Sequence, residues 1–261
     1  MQSCDDNSSI PKENKIVVTK VKTTPLINYV YVNSYPHDTN SFTEGFLMYN
    51  GDLYESTGAT PQLPQTRSLF GVVNKSTGII DVKVELDKTK YFGEGITFLD
   101  DKVFQLTYRA KVGFIYDAVS FKELGRFELP SNEGWGLTTD EEHLIMSDGT
   151  DALYFLDPKN LSVVKIIKVS ENGYPKHRLN ELEYINGFIY ANIWMTNTIV
   201  KIDITTGDVV GKLDLTPIAE EAKYLYHNIQ EMNGIAFDSV TGNVLITGKM
   251  WPKYFEIKFN H

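Results

Sequence analysis

From about residue 28 onward the chain is a run of short segments in which β-branched and aromatic residues alternate with polar ones, the period-2 pattern of half-buried strands. After one isolated segment at 28–34 they come in groups of four. The first group is 45–49, 52–56, 68–73 and 80–86, and the second is 95–99, 102–108, 112–117 and 123–129. The third is 136–139, 143–147, 153–157 and 162–169, and the fourth is 182–185, 188–194, 199–203 and 208–213. The fifth has only three, at 234–238, 243–248 and 254–259. Asn50-Gly51 and Asn186-Gly187 are two-residue hairpin signals between first and second strands, and Asp100-Asp101 stands in the same place in the second group. The rhythm breaks twice. Residues 58–67 form a long Pro-containing loop, and Thr216–Leu225 reads as a short helix, with Thr216 as its cap and Pro217 at its first position.

Each group opens on a polar or glycine-rich turn that runs straight into an apolar strand. The turns are Ser41-Phe42-Thr43-Glu44-Gly45, Tyr91-Phe92-Gly93-Glu94-Gly95, Glu133-Gly134-Trp135-Gly136, Leu179-Asn180-Glu181-Leu182-Glu183 and Met232-Asn233-Gly234. With Glu44, Glu94, Trp135, Glu181 and Asn233 as matching points, the steps are 50, 41, 46 and 52 residues. A period of this size marks a propeller array, one copy per blade. The strand missing from the last group is supplied by the isolated segment at 28–34, which hides an otherwise open sheet edge. The expected fold is therefore all-β: a five-bladed β-propeller whose last blade is closed by the N-terminal strand. A β-sandwich would not explain the fixed period. Both insertions are expected on the binding face.

Composition narrows the function. The 261 residues are 42% hydrophobic and 23% charged, with a formal net charge of -9, which excludes the basic footprint of a nucleic-acid binder. No run of 18 apolar residues occurs, so no helical span of a membrane is expected. The single cysteine, Cys4, rules out an intrachain disulfide. Its setting, Ser3-Cys4-Asp5-Asp6-Asn7-Ser8-Ser9, resembles the mature end of a bacterial lipoprotein whose leader has been removed. Residues 1–25 are expected to be a disordered tether and 26–261 the propeller domain, a monomeric lipoprotein that is periplasmic or anchored at the outer membrane through a lipid on Cys4.

The innermost strand of each blade lines the central channel, so the five matching residues should ring one mouth. Tyr108 and Trp194 end second strands and Lys249 follows the last one, at equivalent places, so they should face the same space. Of Glu181 and Glu183, which share one strand face, one is expected to accept backbone donors. The entry glycines Gly45, Gly95, Gly136 and Gly234 read as places where blades crowd together. His37, His143, His177, His227 and His261 form no HxxxH or HExxH pair, and no GxSxG elbow or phosphate loop is present. A carboxylate ring leaves room for a structural divalent cation in the channel.

At these motifs the chain resembles the plant and bacterial type of glutaminyl-peptide cyclotransferase. The resemblance covers residues 35–259. It rests on Tyr35-Pro36-His37-Asp38, Phe42-Thr43-Glu44-Gly45, Tyr91-Phe92-Gly93-Glu94-Gly95, Gly113-Phe114-Ile115-Tyr116-Asp117, Gly134-Trp135-Gly136-Leu137, Ser147-Asp148-Gly149-Thr150, Leu179-Asn180-Glu181-Leu182, Asn192-Ile193-Trp194 and Thr247-Gly248-Lys249-Met250-Trp251. It implies a five-bladed propeller that cyclises the N-terminal Gln of peptides to pyroglutamate, releasing ammonia, without a required cofactor or metal. It implies a site of Phe42, Glu94, Trp135, Asn180, Trp194 and Lys249. Glu94 would move the proton, while Asn180, Lys249 and the indole N–H groups would donate to the amide oxygen. Two positions depart from the plant pattern: Glu44 stands where a Gln is expected and Tyr108 where a Trp is expected. Two rivals stay open: a non-catalytic propeller binding peptide or protein ends, and a propeller lactonase using a divalent cation.

Overall fold

A computed structural model describes residues 23–261. Cys4 and most of the expected tether lie outside the described residues. Blade one is β2 (Thr43–Tyr49), β3 (Asp52–Thr57), β4 (Leu69–Val73) and β5 (Ile80–Glu85); blade two is β6 (Gly93–Leu99), β7 (Lys102–Thr107), β8 (Val112–Asp117) and β9 (Glu123–Glu128). Blade three is β10 (Leu137–Thr139), β11 (Leu144–Ser147), β12 (Ala152–Leu156) and β13 (Val163–Lys168). A small hairpin follows, β14 (Ser170–Glu171) with β15 (Tyr174–Pro175). Blade four is β16 (Leu179–Ile185), β17 (Phe188–Ile193), β18 (Thr198–Asp203) and β19 (Val209–Asp214), and helix α1 (Thr216–Leu225) leads into β20 (Met232–Asp238), β21 (Asn243–Gly248) and β22 (Lys253–Phe259).

The fifth blade is completed as the strand count requires. β1 (Tyr29–Pro36) pairs antiparallel with β22, from Tyr29 opposite Phe259 to Pro36 opposite Lys253. Pro36 is tolerated because this is an edge strand. Next to it, the ring of His37 bridges the carbonyl of Trp251 (Nδ1, 2.8 Å) and the carboxylate of Glu55 (Nε2, 3.0 Å), and Thr43 Oγ1 donates to the same carboxylate at 2.7 Å. Both ring nitrogens face acceptors. Although burial opposes the charge, Glu55 and the Trp251 carbonyl raise the pKa of His37. The buried pair fastens the closing strand to blade one. Pro25, assigned to the tether by the sequence, is already bound to blade four, its carbonyl accepting from the Lys212 N–H at 3.0 Å.

The core is five apolar layers, one between each two neighbouring blades. Phe70, Ile96 and Phe114 lie between blades one and two, and Phe104, Phe127 and Leu137 between two and three. Leu153, Leu182 and Ile189 fill the third layer, Tyr190, Val244 and Phe255 the fourth, and Phe46, Leu53 and Tyr254 the last. Each blade is therefore buried on both faces. The three expected hairpin turns take positive φ at both central residues: Asn50 and Gly51, Asp100 and Asp101, Asn186 and Gly187. The small hairpin turns in the same way on Asn172-Gly173, a signal the strand count passed over. The helix has the expected span, but its cap differs. The N-cap is Leu215 without a side-chain cap bond, and Asp214 Oδ1 accepts from the Thr216 N–H at 3.0 Å.

Candidate active site

The site is built where the innermost strands enter the ring. In four blades the ladder to the second strand skips there: between Thr43 and Gly45, Gly93 and Ile96, Leu179 and Leu182, and Met232 and Ile235. A bulge of this kind re-aims the side chain it carries. The pairs on either side of each skip align Glu44, Glu94, Asn180 and Asn233, with Trp135 in the same place before Leu137. The sequence match at Glu181 is thus corrected by one residue, to Asn180. Polar side chains on second strands hold the next blade's entry in place. Ser56 Oγ donates to the Glu94 carbonyl (2.6 Å), Ser147 Oγ to that of Asn180 (2.8 Å), and Asn192 Oδ1 accepts from the Gly234 N–H (2.9 Å).

The position after each bulge residue is Gly45, Gly95, Gly136, Glu181 or Gly234. A Cβ on Gly95 would collide with the Leu137 nitrogen and lie 2.7 Å from the Trp135 carbonyl; one on Gly136 would strike the Asn180 carbonyl. These glycines answer to crowding, as the sequence suggested. Glu181 alone puts a side chain at the axis. It accepts from the Phe46 N–H (3.2 Å) and the Ile235 N–H (2.9 Å), inner-edge donors of blades one and five. Glu183 accepts from the Phe237 N–H at 2.7 Å. Both glutamates, not one, are backbone acceptors.

Glu44, Glu94, Trp135 and Asn180 open onto a cavity of about 650 Å³. Its floor is Glu44, Glu94, Asn180 and Lys249, exposed by only 2%, 4%, 2% and 6%. Its wall is a continuous series of aromatic rings. Phe42 meets Phe92 at 6.0 Å, Phe92 meets Tyr108 at 5.9 Å, Tyr108 meets Trp135 at 6.4 Å, and Trp135 meets Trp194 at 5.6 Å and 83°. Phe42 is therefore a wall residue, whereas Trp251 is fully buried and donates its N–H to the Gln230 carbonyl (3.0 Å). The rim is Ala59, Thr60 and Pro61 from the 58–67 insertion, with Arg109, Glu133, Gln230 and Glu231. The helix does not reach the cavity, since Ile218, Ala219 and Ala222 pack into the layer between blades four and five.

Tyr108, Trp194 and Lys249 are equivalent, as expected. Their N–H groups donate to the carbonyls of Phe92 (3.1 Å), Arg178 (2.9 Å) and Glu231 (2.9 Å). Those partners stand two residues before the bulge residues, and so does Glu133 before Trp135. Phe92, Glu133 and Glu231 all line the cavity and were missed. The signal was the strand period itself: two residues before each matching point lies the same face.

Lys249 Nζ sits 2.8 Å from Glu44 Oε1 and 4.7 Å from the Phe42 ring centre. Asn233 Nδ2 donates to the other Glu44 oxygen at 3.1 Å. Burial pushes Glu44 up to about 7 while Lys249 pulls it down. Lys249, though burial works against its charge, is held above its ordinary value by Glu44 and Glu94. Glu94 is different. Its carboxyl has no hydrogen-bond partner among the described residues; burial first, then the charge of Glu44, hold it well above the ordinary carboxylate range, against Lys249. Asn180 Oδ1 is also buried without a partner, so it is offered as an acceptor. The Trp135 N–H, expected to be free for a substrate oxygen, instead donates to Glu133 Oε2 at 3.0 Å. Asn233 serves Glu44 rather than the cavity. Among the described residues no group of three His, Cys, Asp or Glu is arranged to hold a metal ion.

A family model described as glutamine cyclotransferase matches residues 6–259 of the chain. A curated glutaminyl-peptide cyclotransferase of Arabidopsis thaliana is 37% identical over 229 residues, covering 87% of this chain and 70% of that protein. The crystal structure of the Myxococcus xanthus glutaminyl cyclase superimposes with a TM-score of 0.81 and 29% identity, covering 91% of this chain and 98% of that one.

Proposed function

Because the chain belongs to the glutamine cyclotransferase family, we propose that this cavity takes the N-terminal glutamine of peptides and proteins and closes it to pyroglutamate, releasing ammonia. The observation that carries it is Glu94: a buried carboxyl with a raised pKa and no protein partner among the described residues, facing an aromatic-walled cavity.

The substrate α-amine titrates near 7.7–8.0, so a useful fraction is neutral around neutral pH. Its nitrogen attacks the side-chain carbonyl carbon. The new C–N bond forms, the bond to the amide nitrogen breaks, and the amine proton ends on the departing ammonia. Expelling that nitrogen is the harder half, because it must be protonated. Glu94, whose pKa burial and Glu44 raise, gives a proton to the leaving nitrogen and recovers one from the amine. A positioned proton shuttle is worth about 10²–10⁴-fold. Lys249 has three N–H donors and spends one on Glu44. The others stabilise the amide oxygen as it gains charge. Asn180 Oδ1 accepts a substrate N–H. The rings from Phe42 to Trp194 hold the glutamine side chain curled onto its own amine.

No step draws on a metal. The test is ammonia release from Gln-Ala-type dipeptides with and without EDTA. Ammonia equal to pyroglutamate formed, unchanged by chelation, is the expected result. Absence of ammonia would make the cavity a binding site for peptide ends, and loss of activity in EDTA would point to cation-dependent chemistry.

A further inference from the structure

Four residues close a ring of contacts on one side of the cavity mouth. Trp135 Nε1 donates to Glu133 Oε2 at 3.0 Å, and Glu133 Oε1 accepts from Arg109 Nε at 2.7 Å. The Arg109 guanidinium lies 4.5 Å from the centre of the Tyr108 ring, and Tyr108 meets Trp135 edge-on at 6.4 Å. Tyr108 and Arg109 leave the second strand of blade two, while Glu133 and Trp135 enter blade three. The Gly134 N–H donates to the Tyr108 carbonyl at 3.0 Å, which ties the two junctions together.

As a surface ion pair this contact would count for little. The Arg109 side chain is 69% exposed, and such pairs contribute weakly to stability. What sets it apart is what each partner holds. Glu133 is the acceptor for an indole of the wall, and the Arg109 guanidinium lies over the neighbouring ring. Gly149 packs against the Trp135 indole, where a Cβ would lie 2.7 Å from it. The indole is therefore held by a close-packed glycine as well as by the charged clamp.

We propose that Arg109 and Glu133 are positioning residues for the cyclisation, fixing the Tyr108 and Trp135 rings against which the glutamine side chain curls and setting a carboxylate on the cavity that Glu94 also lines. The proposal rests on the reading of the wall and of Glu94 given above. The charge of Glu133 adds to burial and Glu44 in raising Glu94, and the Arg109 guanidinium, paired with Glu133 at 2.7 Å, partly neutralises that charge.

The experiment compares Glu133→Gln, Glu133→Ala and Arg109→Ala by kcat, KM and the pH profile of kcat/KM. Binding of a pyroglutamyl peptide is followed in parallel by tryptophan fluorescence. Glu133→Ala removes both the acceptor and the charge. It is expected to weaken product binding, raise KM and lower kcat/KM by about 10–100-fold, the cost of a misplaced wall. Glu133→Gln keeps an acceptor for the indole. It should recover most of the KM yet move the limb belonging to Glu94 to lower pH. Arg109→Ala should move that limb the other way. A structural pair would leave the limb in place. The proposal is overturned by KM and product binding within twofold of wild type in Glu133→Ala, or by an unmoved limb in Glu133→Gln. Should Glu133→Ala not fold, the exposed Arg109→Ala decides, and a wild-type profile and KM there also overturn it. Glu94→Gln is run alongside. Turnover retained in that variant removes the Glu94 reading, while product binding in Glu133→Ala still judges the clamp.

Discussion

Glu94 and Glu181 are two buried glutamates at the entrance of an innermost strand, one bulge position apart in the repeat, and their surroundings divide them. Glu181 replaces a glycine, turns to the axis and accepts from the N–H groups of Phe46 and Ile235. Glu94 stands in the bulge, turns to the cavity and has no hydrogen-bond partner among the described residues. Burial raises the pKa of both, so the shift alone does not separate them. The partners do. A carboxyl whose oxygens are spoken for by main-chain donors is part of the frame, and one left unpaired over a cavity is available to a substrate.

Neutralising each glutamate in turn separates the two most strongly. Glu94→Gln preserves shape and loses the proton shuttle. Turnover of Gln-initiated peptides should fall by about 10²–10⁴-fold, while the variant stays folded. Glu181→Ala should do the reverse. It strands two buried N–H groups, at about 1–3 kcal/mol each, and lowers the melting temperature while the folded fraction keeps its turnover. Near-normal turnover in Glu94→Gln, or wild-type stability in Glu181→Ala, would sink the division.

A smaller effect tests the link between the floor residues. Glu44 raises Glu94, and Lys249 lowers it. Glu44→Gln removes the first influence and frees Lys249 to exert more of the second, so both changes act downward. The limb of the pH–rate profile assigned to Glu94 should move to lower pH, with activity reduced only a few-fold. A profile identical to wild type would show that Glu44 serves Lys249 and Asn233 alone.

The fold was legible because its signals are local and repeated. Period-2 alternation, Asn-Gly turns and a step of about fifty residues fix the blade number, and the fifth group's missing strand fixes the closure. The site was legible only in part, for a physical reason. A bulge inserts a residue into one strand, so alternation slips by one and the facing of every neighbour changes. That slip put Glu181 in the ring in place of Asn180. The pairing of Glu44 with Lys249 joins opposite ends of the chain, and the bond from Trp135 to Glu133 depends on a rotamer; neither leaves a trace in spacing. Phe92, Glu133 and Glu231 were within reach, since each lies two residues before a matching point, on the same strand face.

The smallest predicted effect sharpens the structural side of the comparison. Glu183 shares the strand face of Glu181 but has a single main-chain donor, the Phe237 N–H. Burial pushes its pKa up to about 8, with that hydrogen bond opposing. A carboxyl raised in the folded state binds its proton more tightly there than in the unfolded chain. Its contribution to stability is therefore complete below the ordinary carboxylate value and is lost as pH rises through about 8. A glutamine in its place would keep an acceptor for the Phe237 N–H and would not titrate. Glu183→Gln should thus melt close to wild type at pH 5 and above it at pH 9. Thermal melts across that range check it, and parallel curves would refute it. Turnover measured at a temperature where both proteins are folded should not change, because Glu183 lines no part of the cavity. Glu94→Gln should instead lose turnover at every pH, so turnover in the two variants separates a titrating frame from a titrating site.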